Sequence, residues 1–421
     1  MPPKFRSATM HSIGRQALVN AGLWTSLDKS KLYNLALELF ENVEDKNLLA
    51  PVLKLTAAAK TYGIFPHAYP NSLTPNDPAS FEELAEHFSL PFSNEIHDHT
   101  QSLLSLSVEA SLKGVHDFDD MLMIPLLKRL GLSTAGIVIV DEAQDLSSIQ
   151  HELLSRMVMR GGRLIAAGDP HQAIYGFRGA LSDSFSSLSR RFNSQIMPLT
   201  VSFRCPQAVV ALAQQYVPEI QPHPDAPLGE IHYHSSGLIS DIPPITLCRF
   251  NAPLVQLALR LITEGYTAEV VGRDIGKGLI SLMKKISKKN LDSPTFISRL
   301  NTWAEKEITK KPRSKSRVRD KQETLTAIAR TYPDMRSIQA HLDKLYPDPS
   351  SRSYKPAQYT LSTIHRAKGL EWPSVGILDY HSMPSRFAEQ EWELQQEQNL
   401  AYVALTRSQN ALHFINSEDY K

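Results

Sequence analysis

Two short β-branched runs separated by a helix-length segment constrain this chain more than any other feature. Ala135-Gly-Ile-Val-Ile-Val140 ends in Asp141-Glu142, and Arg163-Leu-Ile-Ala-Ala167 runs into Gly168-Asp169-Pro170. A continuous apolar run of this length reads as a buried parallel strand. The segment from Leu146 to Arg160 reads as a helix, and strand, helix, strand in this order is a β-α-β unit. In open α/β sheets the functional groups gather at the carboxyl ends of the strands, where the acidic pair stands. The same grammar returns at Ile245 (ITLCRF), through a helix from near Leu254 to Glu264, and at Glu269-Val-Val271. It returns again at Tyr359 to Thr363 and at Val375 to Asp379.

Residues 20 to 130 read differently. Helical periods cover Lys31 to Glu41, Phe81 to His87 and His99 to Ser111, around a Pro/Asn/Asp-rich loop from Pro70 to Pro78, which predicts a helical insertion. The length of 421 residues, at a prior of about 150 per domain, predicts about three domains. The 45 Lys and Arg against 44 Asp and Glu leave a formal charge of +1, so any affinity for nucleic acid must come from local surfaces. One such surface is legible: Lys284 to Lys321 holds 13 basic and 4 acidic residues, a local excess of nine positive charges. A solvated helical face and a nucleic-acid-facing surface both fit it. Two cysteines, Cys205 and Cys248, cannot make a disulfide framework and suit a reducing cytosol. No run approaches the roughly 18 apolar residues of a membrane span, so the expectation is a cytoplasmic, host-cytoplasmic or nucleoid-associated protein with no membrane partner.

The run into Asp141-Glu142-Ala143-Gln144-Asp145 has the Walker B pattern. Nucleoside triphosphate hydrolysis needs one carboxylate to hold Mg²⁺ and a second to orient or deprotonate the attacking water. An acidic pair alone more often marks a solvated helix amino terminus. The next strand, however, leads into Gly168-Asp169-Pro170-His171-Gln172-Ala173-Ile174-Tyr175-Gly176-Phe177-Arg178-Gly179-Ala180, which puts a polar amide, two aromatics and an arginine in one loop.

DEAQD followed by GDPHQAIYGFRGA resembles motifs II and III of the UvrD/Rep/PcrA family of superfamily 1 DNA helicases. Leu199-Thr-Val-Ser-Phe203-Arg204 resembles its motif IV. Leu361 to Trp372 resembles motif V, Tyr402 to Ser408 resembles motif VI, and Ala8-Thr9-Met10-His11-Ser12 resembles the T-x-H-S element. The match runs in the family's order from about residue 5 to about residue 415. The resemblance implies an α/β fold of two RecA-like P-loop NTPase domains, parallel sheets flanked by helices, with helical insertions. The boundaries it suggests are 1–197 for the first domain, with the insertion at about 20–130 and Walker B at 137–145; 198–282 for the first part of the second; 283–355 for a reduced basic insertion; and 356–421 for the rest.

The family roles carry over residue by residue. Asp141 is implied to hold Mg²⁺, Glu142 to be the catalytic base and Gln172 to sense the γ-phosphate. Arg204 and Arg407 are implied arginine fingers, a role worth about 10³ to 10⁵ in rate. Phe203 stands where the family has an adenine-stacking tyrosine, and Glu371, beside Gly369, is implied to contact the ribose. On the DNA side the resemblance implies Thr9, His11, Tyr175, Phe177, Arg178, Thr363, His365 and Lys368, with Phe177 in place of a base-stacking tryptophan. No second ligand stands at metal-site spacing from His365, His97 or His99.

The family also begins with a Walker A loop, G-x-x-x-x-G-K-[ST], and no such loop occurs in these 421 residues. Gly272-Arg-Asp-Ile-Gly276-Lys277-Gly278 has three residues where four are needed and lacks the closing Ser/Thr. The expectation is therefore a first domain that is incomplete at its amino terminus. A fragmentary reading frame, a separately supplied Walker A polypeptide and a degenerate DNA-binding paralogue each account for it. The implied activity is ATP-dependent, Mg²⁺-requiring 3′–5′ movement on single-stranded DNA and single/double-strand junctions, in replication, repair or recombination. The alternative is a non-catalytic single-stranded DNA-binding or regulatory protein.

Overall fold

The computed structural model describes residues 6–88, 90–174, 184–310, 315–351 and 354–420. The chain divides into two compact units, Met1–Ile196 and Met197–Lys421.

The first unit opens with helix α1 (Met10–Asn20), capped by Thr9, whose hydroxyl accepts from the Ser12 amide at 3.2 Å. Strand β1 (Ser26–Leu27) and helices α2 (Lys31–Leu39), α3 (Leu49–Tyr62), α4 (Pro78–His87) and α5 (Asn94–Leu112) follow. Strand β2 (Val115–His116) pairs parallel with β1 and leads into α6 (Asp120–Leu127). The stretch from 20 to 130 is thus mostly helical, and α4 begins where the Pro-rich loop ends: Asp77 caps it and Pro78 fills the first turn, where no amide is needed. Gly14 lets α1 lie against α6, since a Cβ there would fall 1.8 Å from the Met121 carbonyl oxygen.

Leu55, Phe65, Phe81, Leu103 and Met123 are among the residues of one apolar core. Within this region lies a buried ion group: Lys60 Nζ is 2.8 Å from Asp120 and 2.5 Å from Asp117, and Lys31 Nζ is 2.6 Å from Asp120. Burial opposes the charge on Lys60, but the two carboxylates outweigh it and its pKa rises. Burial likewise pushes the neighbouring Asp119 up to about 6.

Strand β3 (Ala135–Val140), helix α7 (Ser148–Met157), strand β4 (Val158–Ala166) and helix α8 (Ser184–Phe192) complete the unit. β3 and β4 pair in parallel, Ile139 opposite Ile165. Two expectations change here. The helix stops at Met157 rather than Arg160, so β4 starts five residues earlier than its apolar run at Arg163. Strand β3 is buried on one face alone: Val138 and Val140 pack with Leu154 and Leu188, while Ile137, Ile139 and Ile165 are 60%, 68% and 52% exposed.

The second unit opens with strand β5 (Val201–Ser202), helix α9 (Gln207–Ala213) and strand β6 (Gln221–Pro222), with β5 parallel to β6. Its main sheet has six strands, all parallel: β7 (Glu230–Tyr233), β8 (Ile245–Cys248), β9 (Ala268–Val270), β10 (Tyr359–Thr363), β11 (Trp372–Leu378) and β12 (Ser408–Ile415). Their order is β7-β12-β11-β8-β10-β9.

Helix α10 (Asn251–Thr263) joins β8 to β9. Helices α11 (Arg273–Ile286), α12 (Ser293–Lys310), α13 (Lys315–Thr331) and α14 (Met335–Leu345) lie between β9 and β10. The basic stretch falls on these helices, and its apolar residues Phe296 and Leu300 share one core with Leu254 and Leu257 of α10 and Leu361 of the sheet. Asp320 accepts from the Asn251 and Ala252 amides at 2.8 and 2.9 Å, capping α10 from within the basic stretch. Helix α15 (Ile364–Ala367) and helix α16 (Glu391–Leu405) complete the unit.

Candidate functional site

At the carboxyl end of β3, Asp141 and Glu142 are both exposed. Glu142 is left-handed, φ 53° and ψ 41°, a conformation uncommon for a residue with a side chain. Its amide donates to Asp141 Oδ1 at 2.9 Å, which orients the Asp141 carboxylate. The bend is held from behind: Ala167 N donates to Val140 O at 2.8 Å and Ala143 N to Ala167 O at 2.9 Å.

From Glu142 a chain of hydrogen bonds leads to the loop after β4. Gln144 Nε2 donates to Glu142 Oε2, Asp169 N donates to Gln144 Oε1 at 3.1 Å, and Gln172 Nε2 donates to Asp169 Oδ2 at 2.9 Å. Gly168 is required for this approach, because a Cβ there would meet Gln144 Oε1 at 2.1 Å. The structure thus brings together Asp141, Glu142 and Gln172. It adds Gln144 and Asp169, two residues that sequence reasoning did not assign. The motif letters DEAQD and GDPHQ contain both, but only folding shows that one accepts from the other. Tyr175, Phe177 and Arg178 lie outside the described residues.

No group of three or more His, Cys, Asp or Glu among the described residues is arranged to hold a metal ion. Mg²⁺ is commonly held by one or two carboxylates together with substrate phosphates. The exposed Asp141–Glu142 pair fits that donor set.

On the T-x-H-S element, Thr9 uses its hydroxyl to cap α1, and burial lowers the pKa of His11. The His11 ring meets Phe118 edge-on, with centroids 6.2 Å apart. Phe118 is 46% exposed, with Lys29 Nζ at 5.7 Å from its ring. Sequence reasoning missed this aromatic. A single aromatic among the acids of Asp117-Phe118-Asp119-Asp120 was its only sequence signal.

In the second unit Phe203 is 81% exposed, its ring tilted against His223 at 4.5 Å. Beside it, Arg204 Nε donates to Glu371 Oε2. Gln409 Nε2 donates to the other carboxylate oxygen of Glu371 at 2.9 Å. Glu371, expected to meet a ribose, here holds an arginine. Arg407 is fully buried: its Nε donates to Val403 O at 2.9 Å, Nη1 to Leu370 O at 3.1 Å and Nη2 to Thr406 Oγ1 at 2.9 Å. Burial, together with Arg204 nearby, lowers its pKa to about 10. An expected finger is therefore turned into the protein. Thr363 is buried at the start of α15, His365 and Lys368 are half-buried, and Gly369 is left-handed at φ 81° with open space around it.

The UvrD/REP helicase N-terminal domain family matches residues 4–193. The chain is similar to the ATP-dependent DNA helicase UvrD2 of Mycobacterium tuberculosis, 26% identical over 321 residues, covering 64% of this chain and 46% of the relative. It is similar also to the F-box DNA helicase protein 1 of Schizosaccharomyces pombe, 26% identical over 313 residues, 65% of this chain and 33% of that one. The ATP-dependent DNA helicase srs2 of the same yeast is 29% identical over 148 residues, 34% and 17% of the two chains. The chain spans about half the length, 46%, of the UvrD2 relatives it matches. These matches and the ordered motifs make the chain similar to UvrD-like DNA helicases, with the UvrD/REP helicase N-terminal domain matched in its first unit.

Proposed function

We propose that this chain works as an ATP-dependent DNA helicase or translocase, moving 3′ to 5′ on single-stranded DNA and at single/double-strand junctions. The observation that carries the reading is the hydrogen-bond chain Glu142–Gln144–Asp169–Gln172. It ties the carboxylate suited to activate water to the amide suited to sense a phosphate, so a change at one is felt at the other.

In this reading Asp141 holds Mg²⁺, which supplies charge neutralisation to the phosphates. Glu142 accepts the proton of the attacking water. Phe203 offers an exposed ring to the adenine, stacking without the hydroxyl a tyrosine would add. Arg204 presents its guanidinium to the phosphates. Arg407 takes part as a second cation only by exchanging carbonyl partners for phosphate oxygens. His11, Phe118 and Lys29, with Tyr175, Phe177, Arg178, Thr363, His365 and Lys368, serve the DNA strand. Stacking on an aromatic is worth roughly 1–3 kcal/mol per base and tolerates any sequence. A polypeptide bearing a Walker A loop, on this chain's own protein or separate, completes the phosphate cradle.

A non-catalytic single-stranded DNA-binding protein is the second reading, favoured by the burial of Arg407. DNA-stimulated ATP hydrolysis separates the two. The motor reading expects turnover that rises with single-stranded DNA, by the chain alone or supplied with a Walker A segment. Absence of turnover in both preparations defeats it.

A further inference from the structure

Arg204 is bound at one point of its guanidinium. Its Nε donates to Glu371, and the described residues give its terminal nitrogens no partner. Arginine presents five N–H bonds in a planar fork. Using the Nε–H alone leaves the four on the terminal nitrogens for an anion while restraining where the group sits. A freely rotating arginine would have to lose that freedom when it bound a phosphate; the contact with Glu371 removes part of it beforehand.

Glu371 is itself held. Gln409 donates to its second oxygen at 2.9 Å. Both residues sit on rigid neighbours: the Trp372 amide, next to Glu371, donates to Arg407 O at 3.0 Å, and Trp372 pairs with Ser408, next to Gln409, in the β11–β12 register. Arg407, with its three hydrogen bonds, packs the corner from inside.

We propose that Gln409 and Glu371 form a positioning relay that orients Arg204, with Gln409 fixing the carboxylate and the carboxylate fixing the guanidinium. The inference rests on the reading of Arg204 as the phosphate-facing arginine. It gives Gln409 a part in the reaction, and it replaces a ribose contact for Glu371 with an arginine contact. Neither relay residue touches the nucleotide. Loss of either loosens Arg204, which lowers turnover far more than nucleotide affinity, because misplaced groups lose their advantage in the transition state.

Gln409→Leu keeps the size and removes the donor. The test uses two readouts on the whole chain. The first is hydrogen–deuterium exchange at the Arg204 Nε–H, followed by NMR and assigned by its loss in Arg204→Lys. The relay expects slow exchange in the wild type, and faster exchange in Gln409→Leu and in Glu371→Gln. Exchange unchanged by both variants overturns it.

The second readout is steady-state ATP turnover, with the Walker A segment supplied if needed. The relay expects kcat to fall between about tenfold and a hundredfold in Gln409→Leu, with KM for ATP within about twofold. It also expects Glu371→Gln to discriminate ATP from 3′-deoxy-ATP as the wild type does. A KM increase confined to ATP, absent with the deoxy analogue, restores the ribose contact and overturns the relay. A wild type without turnover in either preparation defeats the helicase reading, while the exchange readout decides the arginine contact independently.

Discussion

The sheets of the two units are built from the same kind of strand and end differently. In the second unit β11 has β12 and β8 as neighbours, and Ile377, Leu378 and Leu247 are fully buried. In the first, β3 and β4 pair with each other, and Ile137, Ile139 and Ile165 face solvent. Both β3 and β11 turn over an acidic residue in the left-handed conformation, Glu142 at φ 53° and Asp379 at φ 55°. Asp379 is buried and accepts from the Ser417 amide at 2.8 Å, whereas Glu142 is exposed and reaches Gln144. A bend that serves packing in one unit presents chemistry in the other. Exposure separates the two uses, and the local sequence of the strand does not.

The sharpest way to test that contrast is at the bends. Glu142→Gln is expected to lower ATP turnover by about 10²- to 10⁴-fold, the range for a lost general base, with nucleotide binding retained. The corresponding Asp379→Asn is expected to change stability rather than chemistry. Steady-state kinetics beside urea unfolding of both variants checks the pair, and retained turnover in Glu142→Gln removes it as the base.

The next largest effect concerns what holds the first unit together where its sheet is small. Lys60→Met leaves Asp117 and Asp120 as buried charges short of a partner, which costs about 3–5 kcal/mol. The midpoint of urea unfolding reads it, and a shift under about 1 kcal/mol would mean that water reaches the pair. Ile377→Ala against Ile139→Ala probes the two sheets directly. The buried residue is expected to cost about 2–5 kcal/mol and the exposed one no more than about 0.5. Equal costs would show that the bare face of β3 is covered in solution.

The smallest effect lies at the edge of the second sheet. His413 stacks on His232 and His234, and its Nδ1 lies 2.9 Å from His234 Nε2. Burial, reinforced by those two rings, lowers its pKa from 6.5 to about 4, against the opposing pull of Glu230 and Asp241. The folded state therefore keeps the ring neutral while the unfolded chain takes up a proton. Stability is full above pH 6.5 and falls as the pH drops from there to about 4. Unfolding midpoints across that range check it, and His413→Gln is expected to flatten the slope.

Much of this was legible in the chain itself. The apolar runs at 135, 245, 359 and 375 became strands because β-branched residues in short runs have few other stable uses. Three helices of 20–130 followed from their apolar period, while the caps Asp77 and Ser93 start two of them earlier than that period does. The limits of α7 and β4 were not legible, since Val158 to Arg160 fit either element and strand pairing with Ala135 decided the matter. The acidic pair and Gln172 could be picked out as separate letters. Gln144 and Asp169 could not, because their role is a distance between two loops.

By itself the sequence determined which elements form, in what order, and which family of motors they resemble, because local periodicity and motif spacing are written along one dimension. Tertiary structure alone decided that Arg407 is buried, that Glu371 faces Arg204 across 167 positions, and that one β3 face is bare. Burial and partnership depend on what the rest of the fold places nearby, and a charge or an apolar side chain carries no local mark of whether that neighbour exists.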